Sequence, residues 1–417
     1  MFVPRVRRHV RRFQRGWFKI ALLYLFVVLA WDTLRITSAA SAIRIPLSQK
    51  PPPNERYFIA SIHWMNAGII KSHWKQAVLN LVDYLGADNC YVSVLEGGSW
   101  DNTQAELKAL EVGLERLGVP NTITLEQATH LDEISRIPGP DEEGWIVAGD
   151  GTKKLRRIPY LARLRNRVMD DMRRVSQEGS RPFTKVLWLN DVVFTTEDIR
   201  TLLSTNGGNY AAACSLDFAN PPIYYDTFAL RDISGSKTAT LTWPYFLSST
   251  SRRALSNALP VPVKSCWNGA VAMDAAPFYD PITPLRFRGV EDSLAKQHLE
   301  GSECCLIHAD NPLSEERGVY VNPNVRVGYN QTAYSLVNPL PTTSWFSPFR
   351  LVWGTWSNRL ARWFGVITRE GERSVVHRRI RKWQMEAEKG DKRREEKGEF
   401  CLVNEAQILV KNGWQHI

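Results

Sequence analysis

The sequence has 417 residues, of which 44% are hydrophobic and 23% are charged, a composition typical of folded proteins with one or two domains. Its net charge of +10 lies in two segments: residues 1–20 contain seven basic and no acidic residues, and residues 369–399 contain eleven basic and eight acidic residues. The rest of the chain is neutral, which argues against nucleic-acid binding, because that function needs a basic surface on the folded domain itself.

The amino terminus predicts a single-pass membrane anchor. Residues 1–16 form a basic cytoplasmic tail, and residues 17–35 form a mainly apolar segment suited to a transmembrane helix. Because positive flanks stay in the cytoplasm, we expect the remaining chain in the lumen of the Golgi or the ER, a type II topology. A cleaved signal peptide is the alternative, since residues 40–42 are Ala-Ser-Ala. The long basic flank favours the anchor.

A proline-containing segment and an alternating body follow the anchor. Residues 36–56 include Pro46 and three prolines at 51–53, which predicts a stiff stem. Over residues 57–338, strand-like and helix-like segments alternate, which predicts an α/β domain with a mixed, mainly parallel sheet flanked by helices. The predicted strands are 57–62, 90–95, 121–125, 185–189, 210–216, 270–273 and 304–307. The predicted helices begin near residues 74, 103, 159, 195 and 293, and residues 130–155 are predicted as a loop.

The carboxyl-terminal part divides into an aromatic and charged helical extension, residues 339–399, and a segment at 400–417 that we expect to dock on the body. The tryptophans and phenylalanines of 345–364 are expected to pack on the core, with the lumenal membrane surface as the alternative. A lumenal location suits the glycosylation sequon at residues 330–332 and the cysteines, which are residues 90, 214, 266, 304, 305 and 401.

The segment KVLWLNDVVF, residues 185–194, carries the main functional prediction. Its apolar run indicates a strand buried on both faces, and the run ends in Asn190 and Asp191. Open α/β sheets bind ligands at the carboxyl ends of their strands. A carboxylate there suits Mg²⁺ or Mn²⁺ bound to a diphosphate, because these cations prefer oxygen ligands. The alternative is an Asn-Asp turn that merely ends the strand.

Other polar residues near predicted strand ends and helix starts are further candidates. Arginines on the helix that Pro159 opens could bind a diphosphate through forked hydrogen bonds, although most helix arginines are simply solvated. An aromatic loop with carboxylates suits a sugar, whose apolar faces stack on rings while its hydroxyls need acceptors; an ordinary hydrophobic loop is the alternative. Besides Asn190 and Asp191, the donor-binding candidates are Glu96, Ser99, Asp101, Arg163, Arg165 and Asn166. The acceptor-binding candidates are Tyr225, Asp226, Trp267 and Asn268.

Three acids and one histidine complete the set of candidates. Asp217 ends the predicted strand 210–216, and Glu291 with Asp292 opens a predicted helix, where the macrodipole favours acids without any catalytic reason. His308 follows the predicted strand 304–307 and is a candidate metal ligand, although a structural histidine is the commoner case.

Several segments together resemble the fungal α-1,3-mannosyltransferase family of the capsule-synthesis (cryptococcal, Cap59-like) type. They are VSVLEGGSWDNT (92–103), RIPYLARLRN (157–166), KVLWLNDVVF (185–194), YAAACSLDF (210–218), CWNGAVAMDA (266–275), FRGVEDSLAKQHL (287–299) and FCLVNEAQILVKNGW (400–414). The resemblance implies a type II membrane glycosyltransferase with a GT-A-like (Rossmann-like) fold that uses GDP-mannose and a divalent cation, commonly Mn²⁺. Such enzymes usually hold the metal with Asp-x-Asp, which this sequence lacks, so that Asn190 and Asp191 stand as a degenerate form of the motif.

The resemblance also implies roles for individual residues. His308 stands where many such enzymes place a late metal ligand beside the strand-end acid, here Asp191. Asp217, Glu291 and Asp292 are then the candidates to orient or deprotonate the acceptor. The resulting hypothesis is retaining α-1,3-mannosyl transfer from GDP-mannose to a mannose-containing glycan. The alternatives are transfer of another sugar such as xylose, an idle lectin-like subunit of a glycan-synthesis complex, and hydrolysis of the sugar nucleotide.

Overall fold

The computed structural model describes residues 3–40, 55–178, 181–339, 345–387 and 394–417. The stem prolines and most of the alternative cleavage site lie outside these residues. The strands are β1 Tyr57–His63, β2 Cys90–Glu96, β3 Asn121–Leu125, β4 Trp145–Val147, β5 Lys153–Leu155, β6 Lys185–Leu189, β7 Ala212–Phe218, β8 Arg231–Asp232, β9 Val261–Ser265, β10 Ala270–Asp274, β11 Glu300–Gly301, β12 Val319–Gly328, β13 Leu402–Val403, β14 Gln407–Val410 and β15 Gly413–His416.

The helices alternate with these strands through the body and then dominate the extension. They are α1 Val3–Ala40, α2 Ala67–Ile69, α3 Lys75–Leu85, α4 Thr103–Arg116, α5 His130–Ser135, α6 Arg157–Gln177, α7 Thr196–Leu203, α8 Ser249–Ser256, α9 Asp292–Ala295, α10 Glu303–Asp310, α11 Leu313–Arg317, α12 Gln331–Val337, α13 Pro348–Phe364 and α14 Val366–Met385. A π-helix, Ile70–Trp74, joins α2 to α3, and short 3₁₀ turns lie at Ala87–Asn89, Thr205–Gly208, Ala276–Tyr279 and Glu399–Cys401.

The body is built on a nine-stranded sheet in the order β3-β2-β1-β6-β10-β7-β12-β9-β8. β3, β2, β1 and β6 are parallel, β7 and β12 are parallel, and β10 runs antiparallel between β6 and β7. Helices α3, α4 and α7 cover one face, and α6 and α10 cover the other. The predicted fold class, a mixed and mainly parallel sheet flanked by helices, is confirmed.

Two local predictions are wrong. Residues 130–155 are not only a loop, since they form α5 and the antiparallel hairpin of β4 and β5. The apolar run at 304–307 lies in α10, a helix, and not in a strand. Ser302 begins that helix by accepting a hydrogen bond from Cys304 N at 3.2 Å. A four-residue apolar run has the same composition in a buried strand and in a buried helix, so periodicity cannot separate them.

The chain ends attach to the body in different ways. β13 pairs with β11, and a disulfide joins Cys305 to Cys401, so the last segment is fastened beside α10. Helix α1 includes residues Trp17–Arg35, a stretch long and apolar enough to cross a membrane by length and composition. Its large apolar side chains are mostly exposed, and it contacts α13.

Candidate functional site

The carboxyl ends of β1, β2, β6, β7 and β12 lie at one edge of the sheet, and Asp191 lies there directly after β6. Asn66, which follows β1, donates from its Nδ2 atom to Asp191 Oδ2 at 2.9 Å. Burial raises the pKa of Asp191 to about 6. A carboxylate has about four acceptor positions, so this hydrogen bond leaves Asp191 capacity for a cation or a donor group.

Asn66 is a site residue that the sequence reasoning missed. Its Oδ1 accepts from Trp64 N at 2.9 Å, and its own backbone N donates to Thr103 Oγ1 at 2.8 Å. The backbone N and the side-chain oxygen of Asn66 are therefore both hydrogen-bonded while its Nδ2 atom contacts Asp191. The signal was available, because Asn66 follows the first predicted strand much as Asn190 and Asp191 follow another, and the same strand-end argument applies to both.

The predicted donor residues after β2 support the loop that carries Asn66. Glu96 Oε1 accepts from Ser99 N at 2.6 Å, Ser99 Oγ accepts from Met65 N at 2.8 Å, and Asp101 Oδ2 accepts from Ala67 N at 3.2 Å. Glu96 is fully buried. The structure thus gives Glu96, Ser99 and Asp101 a positioning role, and direct contact with a donor stays a prediction for them.

A buried acid lies at the end of β7. Asp217 is completely inaccessible; its Oδ1 accepts from Asp226 N at 3.2 Å and its Oδ2 from Tyr329 OH at 3.2 Å. Burial, and then the neighbouring Asp226 carboxylate, raises the pKa of Asp217 to about 8. Asp217, which has no exposed surface, positions Asp226 and Tyr329 in this structure, and its catalytic role stays a prediction.

The predicted acceptor residues separate into two exposed and two buried ones. Tyr225 is 57% exposed, with its ring centroid 4.5 Å from that of Tyr329, and Asp226 is half-buried beside it. Trp267 and Asn268 are buried, and Asn268 Nδ2 donates to Asp226 O at 2.7 Å. Tyr225 is therefore exposed and Asp226 half-buried at this edge, and buried Asn268 supports Asp226. Direct acceptor contact stays a prediction for all four residues.

The three predicted residues of α6 already have protein partners. Arg165 is buried and donates to Glu303 Oε1 at 3.1 Å, with its guanidinium 4.6 Å from the ring centroid of Trp267. Arg163 donates to a surface glutamate, and Asn166 bonds both backbone polar groups of residue 287. Arg165 thus has Glu303 as a partner, while its buried Nη1 atom has no hydrogen-bond partner among the described residues. Arg163 and Asn166 line a cavity on the same side of the sheet as Glu291 and Asp292, and donor binding stays a prediction for all three residues of α6.

A second missed residue is Arg157, the first residue of α6. Its Nη1 donates to Gln407 Oε1 at 2.7 Å, and its guanidinium lies 4.6 Å from the ring centroid of Trp414. Its positive charge acts on the Tyr225 hydroxyl and on Asp226, opposing the rise in the pKa of each that burial causes. Arg157 thus acts electrostatically on the half-buried acid Asp226, and Gln407 and Trp414 of the C-terminal hairpin contact its guanidinium.

His308 is a structural histidine on α10. Its ring is buried, Nε2 lies 2.7 Å from Cys266 O, and burial lowers its pKa to about 4. Its ligand atom shares a cluster, within 4.8 Å, with the sulfurs of Cys214 and Cys266, but those sulfurs form a disulfide and are not the thiolates a metal binds. The strand-end argument that made His308 a metal ligand is therefore wrong.

The acidic pair at the start of α9 is also committed. Asp292 Oδ1 accepts from Arg156 Nη1 at 2.6 Å, and its Oδ2 accepts from Gly144 N at 2.8 Å. Glu291 is exposed and accepts from the Ser293 hydroxyl at 2.9 Å. Asp292 thus has a structural partner on each oxygen, and Glu291 has the local role expected at a helix start. Both line a cavity together with Arg163 and Asn166, and their catalytic roles stay predictions.

A family model described as Cryptococcal mannosyltransferase 1 matches residues 56–310, more than half of the chain. The chain belongs to this family. An α-1,3-mannosyltransferase of the family's namesake organism, CMT1 of Cryptococcus neoformans, is 27% identical over 318 residues, which cover 71% of this chain and 62% of that relative. The chain thus matches less than two thirds of the relative's length.

Among solved structures, the similar ones are more distant. A mannosyltransferase from Pyrobaculum calidifontis in complex with GDP-Man and Mn²⁺ is 10% identical, with a TM-score of 0.37 over 87% of this chain and 86% of that one. GalNAc-T7 with UDP, GalNAc and Mn²⁺ is 10% identical, with a TM-score of 0.34 over 66% of this chain and 42% of that one. At TM-scores below 0.5, these similarities decide nothing about the site.

Within residues 56–310, which the family model matches, some candidate residues position their neighbours and others are accessible. The motif around residues 92–103 holds the Asn66 loop, and the motif around 266–275 supports Asp226 from below. The accessible or half-buried polar groups gathered at the edge are Asp191, Tyr225 and Asp226, with Arg157 beside them.

Proposed function

We propose that this chain is a membrane-anchored glycosyltransferase that transfers a mannosyl residue from GDP-mannose, with retention, to a mannose-containing glycan through an α-1,3 linkage. Family membership supports the reaction class, and the α-1,3-mannosyltransferase relative supports the sugar. The observation that carries the proposal is the edge itself, where Asp191, Tyr225 and Asp226 converge at the strand ends. The basic flank of α1 supports a lumenal location of this domain, in the Golgi or the ER, because positive flanks stay in the cytoplasm.

A divalent cation, Mn²⁺ or Mg²⁺, fits this edge through Asp191. Such cations are commonly bound by one or two carboxylates together with substrate phosphates and water, so one strand-end acid is an adequate protein ligand. Asn66 orients that acid and supplies no competing charge. When bound, the cation would neutralise negative charge on the departing GDP. His308, buried against a disulfide, is not included in this ligand set.

The chain's own residues supply binding and orientation. Arg157 places a positive charge beside the edge, where it can pair with a donor phosphate or with Asp226. Asp226 is accessible enough to accept a hydrogen bond from an acceptor hydroxyl, and buried Asp217 fixes its backbone. The exposed ring of Tyr225 offers a face for a sugar or a base.

The test is a transfer assay on the full chain in detergent, with GDP-mannose and an α-linked mannobiose. We expect Asp191→Asn to lower transfer by about a hundredfold or more, the loss typical of removing one preorganised electrostatic group. The control is Asp141→Asn, which changes an exposed acid that is not one of the edge residues. This variant should transfer mannose at the normal rate. Undiminished transfer by Asp191→Asn would remove this acid from the mechanism.

The donor and the idle-subunit alternative need separate measurements. Sugar nucleotides that bind the folded chain must raise its melting temperature, so a thermal-shift screen of GDP-mannose against UDP-xylose and others identifies the donor. A lectin-like subunit, which the degenerate Asn190-Asp191 motif and the aromatic loop both permit, should bind glycan and ignore the nucleotide. Calorimetry with GDP-mannose, with and without Mn²⁺, distinguishes that case from a transferase.

A further inference from the structure

Helix α13 has two apolar faces, although it packs on the body with only one of them. Its buried face consists of Leu351, Gly354 and Asn358, which lie against the segment that follows β8; Asn358 Nδ2, for example, lies 3.4 Å from Phe246 O. The expectation that this aromatic segment packs on the core is therefore true of one side of the helix. A helix on the surface of a soluble domain should present polar side chains on the other side.

The opposite side is instead aromatic and exposed. At 100° per residue, Phe349, Trp353, Leu360, Trp363 and Phe364 fall within one arc of about 100°, directly opposite the buried residues. Their exposed fractions run from 46% for Leu360 to 77% for Phe364. Exposed apolar side chains gathered on one face of a helix form a patch of the kind that marks an interaction site. We call these five residues the outer face of α13.

The neighbour of α13 indicates what covers this face. Arg359 forms a two-pronged ion pair with Asp32 near the end of the apolar stretch of α1, with Nη2 3.0 Å from Oδ1. If α1 spans a membrane, Asp32 lies at its lumenal boundary, and the ion pair brings α13 to the same level. Tryptophan and phenylalanine are favoured at that level, where rings meet headgroups and acyl chains.

We propose that the outer face of α13 lies in the lumenal leaflet of the membrane, so that α13 is an interfacial helix that sets the height and tilt of the catalytic domain. The occupant is the lipid surface, because the face is continuous with the exposed apolar surface of α1. This proposal rests on the membrane anchoring proposed above. It adds that the domain is docked on the bilayer and does not hang freely from its stem.

The experiment uses the full chain in lipid nanodiscs, spin-labelled at single introduced cysteines. The native free thiols, Cys90 and Cys304, are buried, so labelling is selective. Trp353→Cys and Phe364→Cys report on the outer face. Leu25→Cys in α1 is the lipid control, and Val112→Cys on α4, which covers the β3 end of the sheet far from β8, is the aqueous control.

We expect the labels at 353 and 364 to be relaxed by dissolved oxygen and shielded from a water-soluble nickel complex, as at Leu25, with the reverse at Val112. Nickel access at 353 and 364 with a lipid signal at Leu25 overturns the interfacial helix and leaves the anchor intact. Shielding of 353 and 364 from both reagents means that protein covers the face, which also overturns the proposal. A water signal at Leu25 overturns the anchor and this inference together.

Discussion

Replacing Arg156 by methionine should destabilise the body strongly, although Arg156 is not at the candidate site. Arg156 is 1% exposed and bonds both oxygens of fully buried Glu300, with Nη2 2.8 Å from Oε1 and 2.9 Å from Oε2. It also donates to Asp292 at 2.6 Å and to Val290 O at 2.9 Å. Arg156→Met leaves the Glu300 carboxylate buried without a cation, which costs about 3–5 kcal/mol of unfolding free energy.

The loss should depend on pH in a defined direction. Burial raises the pKa of Glu300 above its ordinary value even with Arg156 beside it. Without Arg156 the pKa rises further, so the folded state holds a proton that the unfolded chain releases, and stability falls as the pH rises through that window. The deficit of Arg156→Met should therefore be smaller at pH 5 than at pH 8, because protonated Glu300 is neutral.

The assay is urea unfolding of the full chain in detergent, followed by tryptophan fluorescence at both pH values. Arg156→Met/Glu300→Leu should recover most of the lost stability, since replacing a buried pair by apolar residues is often neutral. Arg163→Met removes an exposed arginine that pairs with Glu133 and should cost less than about 1 kcal/mol. A loss of under 1 kcal/mol in Arg156→Met, or an equal loss in the double variant, would refute this account.

Three further predictions concern the edge and the C-terminal fastening. Asn66→Ala should lower the initial rate of mannosyl transfer about tenfold, because Asp191 loses a charge-assisted hydrogen bond of about 1.5–3 kcal/mol. Asn66→Asp should lower that rate further, because it adds a like charge beside Asp191. Chelation with EDTA should abolish transfer and Mn²⁺ should restore it, whereas a metal-independent rate would contradict the role given to Asp191. Cys401→Ser opens the 96-residue separation closed by the bond to Cys305 and should lower stability by about 2–5 kcal/mol, seen as a lower urea midpoint; reductant should lower the midpoint of the variant less than that of the wild type, because only Cys214–Cys266 is left to reduce.

The sheet and its functional edge were predictable because they depend on local signals. Buried apolar runs bounded by turn residues locate β1, β2, β6 and β10, and the strand-end rule then selects Asp191 without knowledge of any contact. Tyr225 and Asp226 were found from the composition of a single loop. Each of these predictions needs only the residues of one short segment.

The sequence does not show contacts that join residues far apart in the chain. Asp292 and Glu300 meet Arg156 from positions more than 130 residues away, so the sequence shows three charges and not one buried cluster. Asp217 looked available because its burial depends on Tyr329 and on β10. His308 was misplaced because a short apolar run does not distinguish strand from helix.

The antiparallel strand β10 keeps two acidic strand ends of this edge apart. β10 lies between β6 and β7, so the strand ends that carry Asp191 and Asp217 are two strand spacings, about 10 Å, apart. The two acids therefore do not form a carboxylate pair, and Asp217 accepts a hydrogen bond from the backbone N of Asp226 instead. Gly269, directly before β10, fills the space between the two ends, since a Cβ added there would meet both Asp217 Cβ and Val192 Cγ1 at 3.3 Å. The reversed strand thus buries Asp217 and leaves Asp191 as the half-buried strand-end acid of the two.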